Sequence, residues 1–173
     1  DPTIFDPARY ASDKQSGWGV SAEHHPVARR HTHFASIEEM KARLRPKSSF
    51  PQFTERAFDD YCRYGLLENE RGELVLACEP LTEASIYTSS WSNTGIFDAV
   101  ESIDMPVKIV RSQVRDDVDS APNFAFSPTW PELVKHFQNG TDLHLPDITH
   151  FIPMQDPQLV IGLIEEELSA LDK

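Results

Sequence analysis

Apolar residues recur at helical steps through the first half of the chain, and proline or glycine interrupts them at short intervals. Residues 1–20 carry Asp1-Pro2 and Asp6-Pro7 among Ser, Asp and Gly, which predicts a loop. From Ser21, Glu23 would sit in a first turn with Val27, Arg30, His31 and Phe34 at helical spacing, so a helix is expected there. Ser36 and Glu39 have the composition of a capping box, and the helix they start should run to about Leu44, short of Pro46. Phe53, Ala57, Phe58, Tyr61, Cys62 and Leu66 form an apolar stripe over residues 53–66, closed at Gly65. A turn at 70–73, a short extended run at 74–78 and a helix opened by Pro80 complete this part. The expectation for residues 21–90 is a compact helical unit with hardly any strand.

The pattern changes near Ser102. Residues 105–110 are a short, largely apolar run after Asp104, the kind that forms a buried parallel strand. Residues 111–128 read as a loop rich in Asp, Ser and Pro, 129–137 as a helix ending at Asn139-Gly140, and 142–145 as a second strand. After a loop over 146–156, Leu159, Val160, Leu163, Ile164, Leu168 and Leu171 mark an amphipathic helix over 157–171. Strand, helix, strand, helix in that order predicts an α/β class with parallel strands and crossover helices. Two such strands are too few for a stable parallel sheet, so part of the sheet is expected from elsewhere. The opening Asp1, in place of Met, fits a processed or excised piece.

Composition narrows the function classes. The chain has 173 residues, 39% hydrophobic and 25% charged, which is the make-up of a globular domain able to bury a core. A net charge of −12, spread along the chain, argues against a nucleic-acid partner, which needs a clustered positive field. No run of apolar residues is long enough for a membrane span, and no secretion leader is visible. Two cysteines, Cys62 and Cys78, make no disulfide framework and point to a reducing, intracellular and most simply cytoplasmic setting. Neither has a histidine or a basic neighbour with an activating role, so both read as buried structural thiols.

Residues 147–157, with His150 in a loop after the second strand, Phe151 and Pro153 behind it and Asp156-Pro157 opening the last helix, resemble the end of an α/β-hydrolase. Residues 106–111 are similar to the strand whose following loop holds that family's catalytic acid, although Ser112 stands where the family has glycine and the acid then falls at Asp116. Asp1-Pro2 is similar to the pair that closes the strand before the lid insertion, and residues 28–30, 34–39, 61–66 and 76–84 resemble lids of fungal and bacterial hydrolases of the peroxisomal-lipase and toxin-biosynthesis kind. The resemblance implies residues 1–100 as a helical lid with its leading loop and 101–173 as the C-terminal part of the hydrolase core. The chain ends in Leu171-Asp172-Lys173, which is no peroxisomal address, so the peroxisome enters by analogy alone.

The function implied is a serine-type, esterase- or lipase-like hydrolase. His150 would take the nucleophile's proton and Asp116 would orient the imidazole, with Asp117 next in line and Asp119 and Asp104 behind. No Gly-x-Ser-x-Gly occurs in the chain, since Gly19-Val20-Ser21 lacks the second glycine. Nucleophile and oxyanion hole are therefore expected from an N-terminal half, as a separate chain or a missing segment, and the substrate from small, rather apolar esters. The alternative is a catalytically inactive truncated homologue that binds a partner through its open sheet edge. Epoxide or carbon–carbon bond hydrolysis on the same fold is a third reading. Acyl transfer by a triad needs no cofactor. His24, His25, His31 and His33 lack the spacing of three or four that puts ligands on one helical face, so a metal site is not expected. Trp18, Trp91, Phe50, Phe53 and Tyr87 are candidates either for an apolar acyl pocket or for packing of the lid, and Arg29-Arg30 for a solvated or salt-bridged pair.

Overall fold

The computed structural model describes residues 1–10, 21–90, 92–115 and 125–171. Helix α1 (Pro7–Tyr10) is a single turn. The helix expected from Ser21 is instead two 3-10 turns, Ala22–His24 and Pro26–Arg29, which lead into strand β1 (His33–Phe34). Proline is the cause: Pro26 has no N–H to donate and holds His25 extended, at φ −68° and ψ 136°. Helix α2 (Ile37–Leu44) begins as its cap predicts, with Ser36 Oγ accepting from the Glu39 N–H at 3.1 Å. The Glu39 carboxylate reaches one residue further back than a capping box requires, accepting from the Ala35 N–H at 2.6 Å.

Helix α3 (Glu55–Tyr64) starts where Thr54 Oγ1 accepts from the Ala57 N–H and stops at Gly65. A Cβ at Gly65 would lie 2.5 Å from the Tyr61 carbonyl oxygen, so only glycine fits. Strands β2 (Leu66–Glu68) and β3 (Leu74–Leu76) form an antiparallel hairpin, and β1 pairs on the other side of β3. Asn69 Oδ1 accepts from the N–H groups of Arg71 and Glu73, and Gly72 takes φ +75° to complete the turn. This three-stranded sheet corrects the expectation of a nearly strand-free unit. Phe34, Met40, Phe53, Phe58, Cys62 and Leu66 are buried together between the sheet and α2 and α3. Full burial of side chains of this size stabilises by roughly 1.5–3 kcal/mol each. Helix α4 (Pro80–Ser89) packs on the two 3-10 turns, tied by an Arg30–Glu83 ion pair at 2.5 Å and a bond from Arg30 to the Tyr61 hydroxyl at 3.3 Å.

Helix α5 (Ile96–Glu101) precedes strand β4 (Val107–Arg111), which pairs in parallel with β5 (Gly140–His144). Val107 and Ile109 pack with Val100, Leu133, Trp130 and Phe137 in a second apolar cluster. Arg111 is nearly buried and forms a bidentate pair with Asp142 at 2.6 and 2.7 Å, fixing the two strands against each other. The helix expected over 129–137 is reduced to a 3-10 turn, Leu133–His136. Its leading residues are committed elsewhere: the Trp130 N–H donates to the Ile4 carbonyl, and Thr129 Oγ1 lies 2.5 Å from the Pro2 carbonyl oxygen. A short helix α6 (Ile152–Gln155) occupies the expected loop, and α7 (Pro157–Leu171) has the bounds its periodicity predicts. No helix among the described residues is long and apolar enough to cross a membrane.

Candidate functional site

His150 lies in the loop beyond the C-terminal end of β5, between that strand and α6. Three backbone bonds hold this corner: Gln113 N–H to the Ile148 carbonyl at 2.9 Å, Ser127 N–H to the Gln113 carbonyl at 2.8 Å, and His150 N–H to the Ala125 carbonyl at 2.9 Å. Gln113 Nε2 adds a fourth, to the Ala125 carbonyl at 3.2 Å. The loop after β4 and the loop after β5 are thereby stitched through residues 125–127. A parallel strand pair brings both loops to the same edge of the sheet, where α/β active sites lie.

The imidazole Nδ1 stands 2.8 Å from Oδ2 of Asp1, whose side chain is 3% exposed. The same carboxylate accepts from Ser112 Oγ at 2.7 Å, Ser127 Oγ at 2.5 Å and Thr129 Oγ1 at 2.8 Å. With Asp1 as acceptor, the Nδ1 proton belongs on the imidazole and Nε2 is left as the basic nitrogen. No described residue bonds to Nε2, and about a quarter of the ring is exposed. Burial lowers the His150 pKa from its ordinary value, which favours the neutral ring able to accept a proton.

His150 and Asp1 open onto a cleft of about 520 Å³ bounded by Val110, Ile152, Val160, Leu163 and Ile164. The cleft lies between the α7 side of β4 and an α7 that has no buried residue over its described side chains. Lys108 crosses its rim to Glu167 at 2.5 Å. Phe151, next to the candidate base, packs against Phe53 with ring centroids 5.3 Å apart, and the Thr54 N–H donates to the Met154 carbonyl at 2.9 Å. Phe53 and Thr54 thus touch the segment that follows His150 directly.

Of the acids expected from the sequence, Asp116, Asp117 and Asp119 lie outside the described residues. Asp104 is exposed and precedes β4, at the opposite edge of the sheet from His150. Asp1 was legible only as half of an Asp-Pro pair closing a strand, and Ser112 only as a departure from glycine. Phe53 is core and Phe50 packs against it, while Tyr87 stacks on His25 at 5.2 Å, and Trp18 and Trp91 lie outside the described residues. Cys62 is fully buried, but Cys78 is exposed, against the expectation of two buried thiols. The histidines of 24–33 are dispersed: His24 bonds Ser21, His25 caps a 3-10 turn, His31 packs on Phe34 and His33 bonds Thr32. Among the described residues no group of three His, Cys, Asp or Glu could hold a metal.

No protein-family model matches the sequence, and no curated protein does. The solved structure of E-2-(acetamidomethylene)succinate hydrolase is similar over 79% of this chain, with a TM-score of 0.56 and 18% identity. The likeness is to the α/β-hydrolase fold. The chain spans about half the length of that hydrolase, 47% of it.

Proposed function

We propose that this chain is the base-and-acid part of a serine-type α/β-hydrolase, acting on an ester or related acyl bond of a small, rather apolar molecule. The observation that carries the reading is the 2.8 Å contact between His150 Nδ1 and the buried Asp1 carboxylate, at the strand edge where hydrolytic sites of this fold lie. In the reaction the nucleophile's hydroxyl proton passes to His150 Nε2 as its oxygen bonds the acyl carbon. The imidazolium then returns the proton to the leaving oxygen, and water repeats the sequence to release the acid. Asp1 keeps Nδ1 protonated and offsets the imidazolium charge. Asp116, expected from the sequence in the same role, is the competing acid.

The nucleophile and oxyanion hole come, in this reading, from an N-terminal half that adds strands beside β4 and covers the apolar cleft. That cleft and the 47% coverage of the similar hydrolase support it. Residues 21–90 would be the lid, since Phe53 and Thr54 contact the loop beyond His150. A second reading is an inactive homologue that binds a partner through its open sheet edge, favoured by the β4–β5 pair having no third strand among the described residues.

Native mass spectrometry of the purified protein, followed by p-nitrophenyl ester hydrolysis, separates the two. With the completing half bound, His150→Ala should lower kcat by about a thousandfold or more, and Asp1→Asn should exceed Asp116→Asn in effect. A chain that neither recruits a second half nor turns over ester sinks the hydrolase reading.

A further inference from the structure

A buried carboxylate is costly unless hydrogen bonds or a cation compensate for lost water. Among the described residues no Lys or Arg pairs with Asp1. Its Oδ1 faces Ser127 and Thr129, and its Oδ2 faces Ser112 and His150, which together use the four acceptor directions of an ionised carboxylate. Ser127 Oγ itself accepts from the Thr129 N–H at 3.2 Å, which leaves its proton for Asp1. Thr129 has one proton for two acceptors, Asp1 Oδ1 and the Pro2 carbonyl, so it ties the carboxylate to its own backbone neighbour. Ser112 is fully buried, directly after β4, and Gln113 beside it joins the backbone lattice that also holds His150.

We infer that Ser112, Ser127 and Thr129 are positioning residues, a hydroxyl collar that holds the Asp1 carboxylate aimed at Nδ1 of His150. The inference rests on the Asp1–His150 pairing proposed above. The loop after β4 then serves the acid rather than supplying it: Ser112, where the resemblance expects glycine, donates to a carboxylate carried far away in sequence. Collar and histidine hang from one set of backbone bonds, so they move as a unit.

The test needs no turnover. The chain is labelled with 15N-histidine, and the His150 ring is titrated by NMR in wild type, Ser112→Gly, Ser127→Ala, Thr129→Val, the Ser127→Ala/Thr129→Val pair and Asp1→Asn. A carboxylate aimed at Nδ1 favours the imidazolium, so loss of aim lowers the ring's pKa. The paired variant should lower it by about half a unit and shift proton occupancy from Nδ1 towards Nε2, and Asp1→Asn should do both more strongly. Thr129→Ser, which keeps the hydroxyl, should restore the wild-type titration. If the folded collar variants titrate as wild type while Asp1→Asn shifts the ring, the collar is only packing and the inference is overturned. If Asp1→Asn leaves the ring unchanged as well, the Asp1–His150 pairing itself falls. Ser127→Ala alone, at a half-buried position, supplies the same readout should the paired variant fail to fold.

Discussion

Residues 21–90 and residues 96–171 solve the same problem, the burial of apolar side chains, with unequal success. The first region folds a short antiparallel sheet onto two helices, and Phe34, Met40, Phe53, Phe58, Cys62 and Leu66 close into one core. The second builds a parallel pair, β4 and β5, with a tight cluster on one face only. On the other face Val110 stays half-buried, while Ile164 and Leu168 of α7 are 55% and 57% exposed. An antiparallel hairpin is completed by local chain, whereas a parallel strand needs neighbours delivered by crossovers. The difference teaches where the described residues close a core among themselves and where they leave apolar side chains open.

The largest expected effect is on the closed core. Phe58→Ala should cost about 3–5 kcal/mol, read as a fall in the urea midpoint followed by circular dichroism. Leu133→Ala, at a fully buried position of the second cluster, should cost about 2–4 kcal/mol. If the two regions unfold separately, each substitution will move its own transition and leave the other in place. A single shared shift would break the comparison.

Acid comes next. His25 and His150 both have lowered pKa values, chiefly through burial. The unfolded chain therefore binds more protons than the folded one between those lowered values and about 6.5. Their contribution is complete above about pH 6.5 and is lost as pH falls through the folded values. Thermal melts at pH 7.5 and 5.5 should differ, with the acid sample less stable. Equal stability at the two values would show that neither ring titrates as its burial implies. The smallest effect belongs to the open face: Ile164→Ser with Leu168→Ser should change the stability of this chain by less than about 0.5 kcal/mol. The same pair should abolish binding of the N-terminal half proposed above. A large loss of stability in the isolated chain would mean that α7 already has its partner.

Several of these elements were legible in the sequence. The α7 stripe spans four turns, so its periodicity is unambiguous, and Ser36 announces the start of α2 through its hydroxyl. Strands of two or three residues are too short to show alternation, which hid the β1–β3–β2 sheet. The helix expected over 129–137 was lost to long-range anchors, since Thr129 and Trp130 are held by Pro2 and Ile4. The place of His150 in a loop between β5 and the last helices was readable from its flanking residues. Its contact with Asp1 was not, because 149 residues separate them and no spacing rule connects the two.

The contrast between Cys62 and Cys78 gives the protein a built-in clock. One thiol lies at the surface and the other at 0% exposure against α2, its pKa raised by burial. A thiol reagent should take up one equivalent at once and a second only when α3 lifts from its sheet. The lag between the two equivalents then times the opening of the very segment whose Phe53 leans on the loop beyond His150.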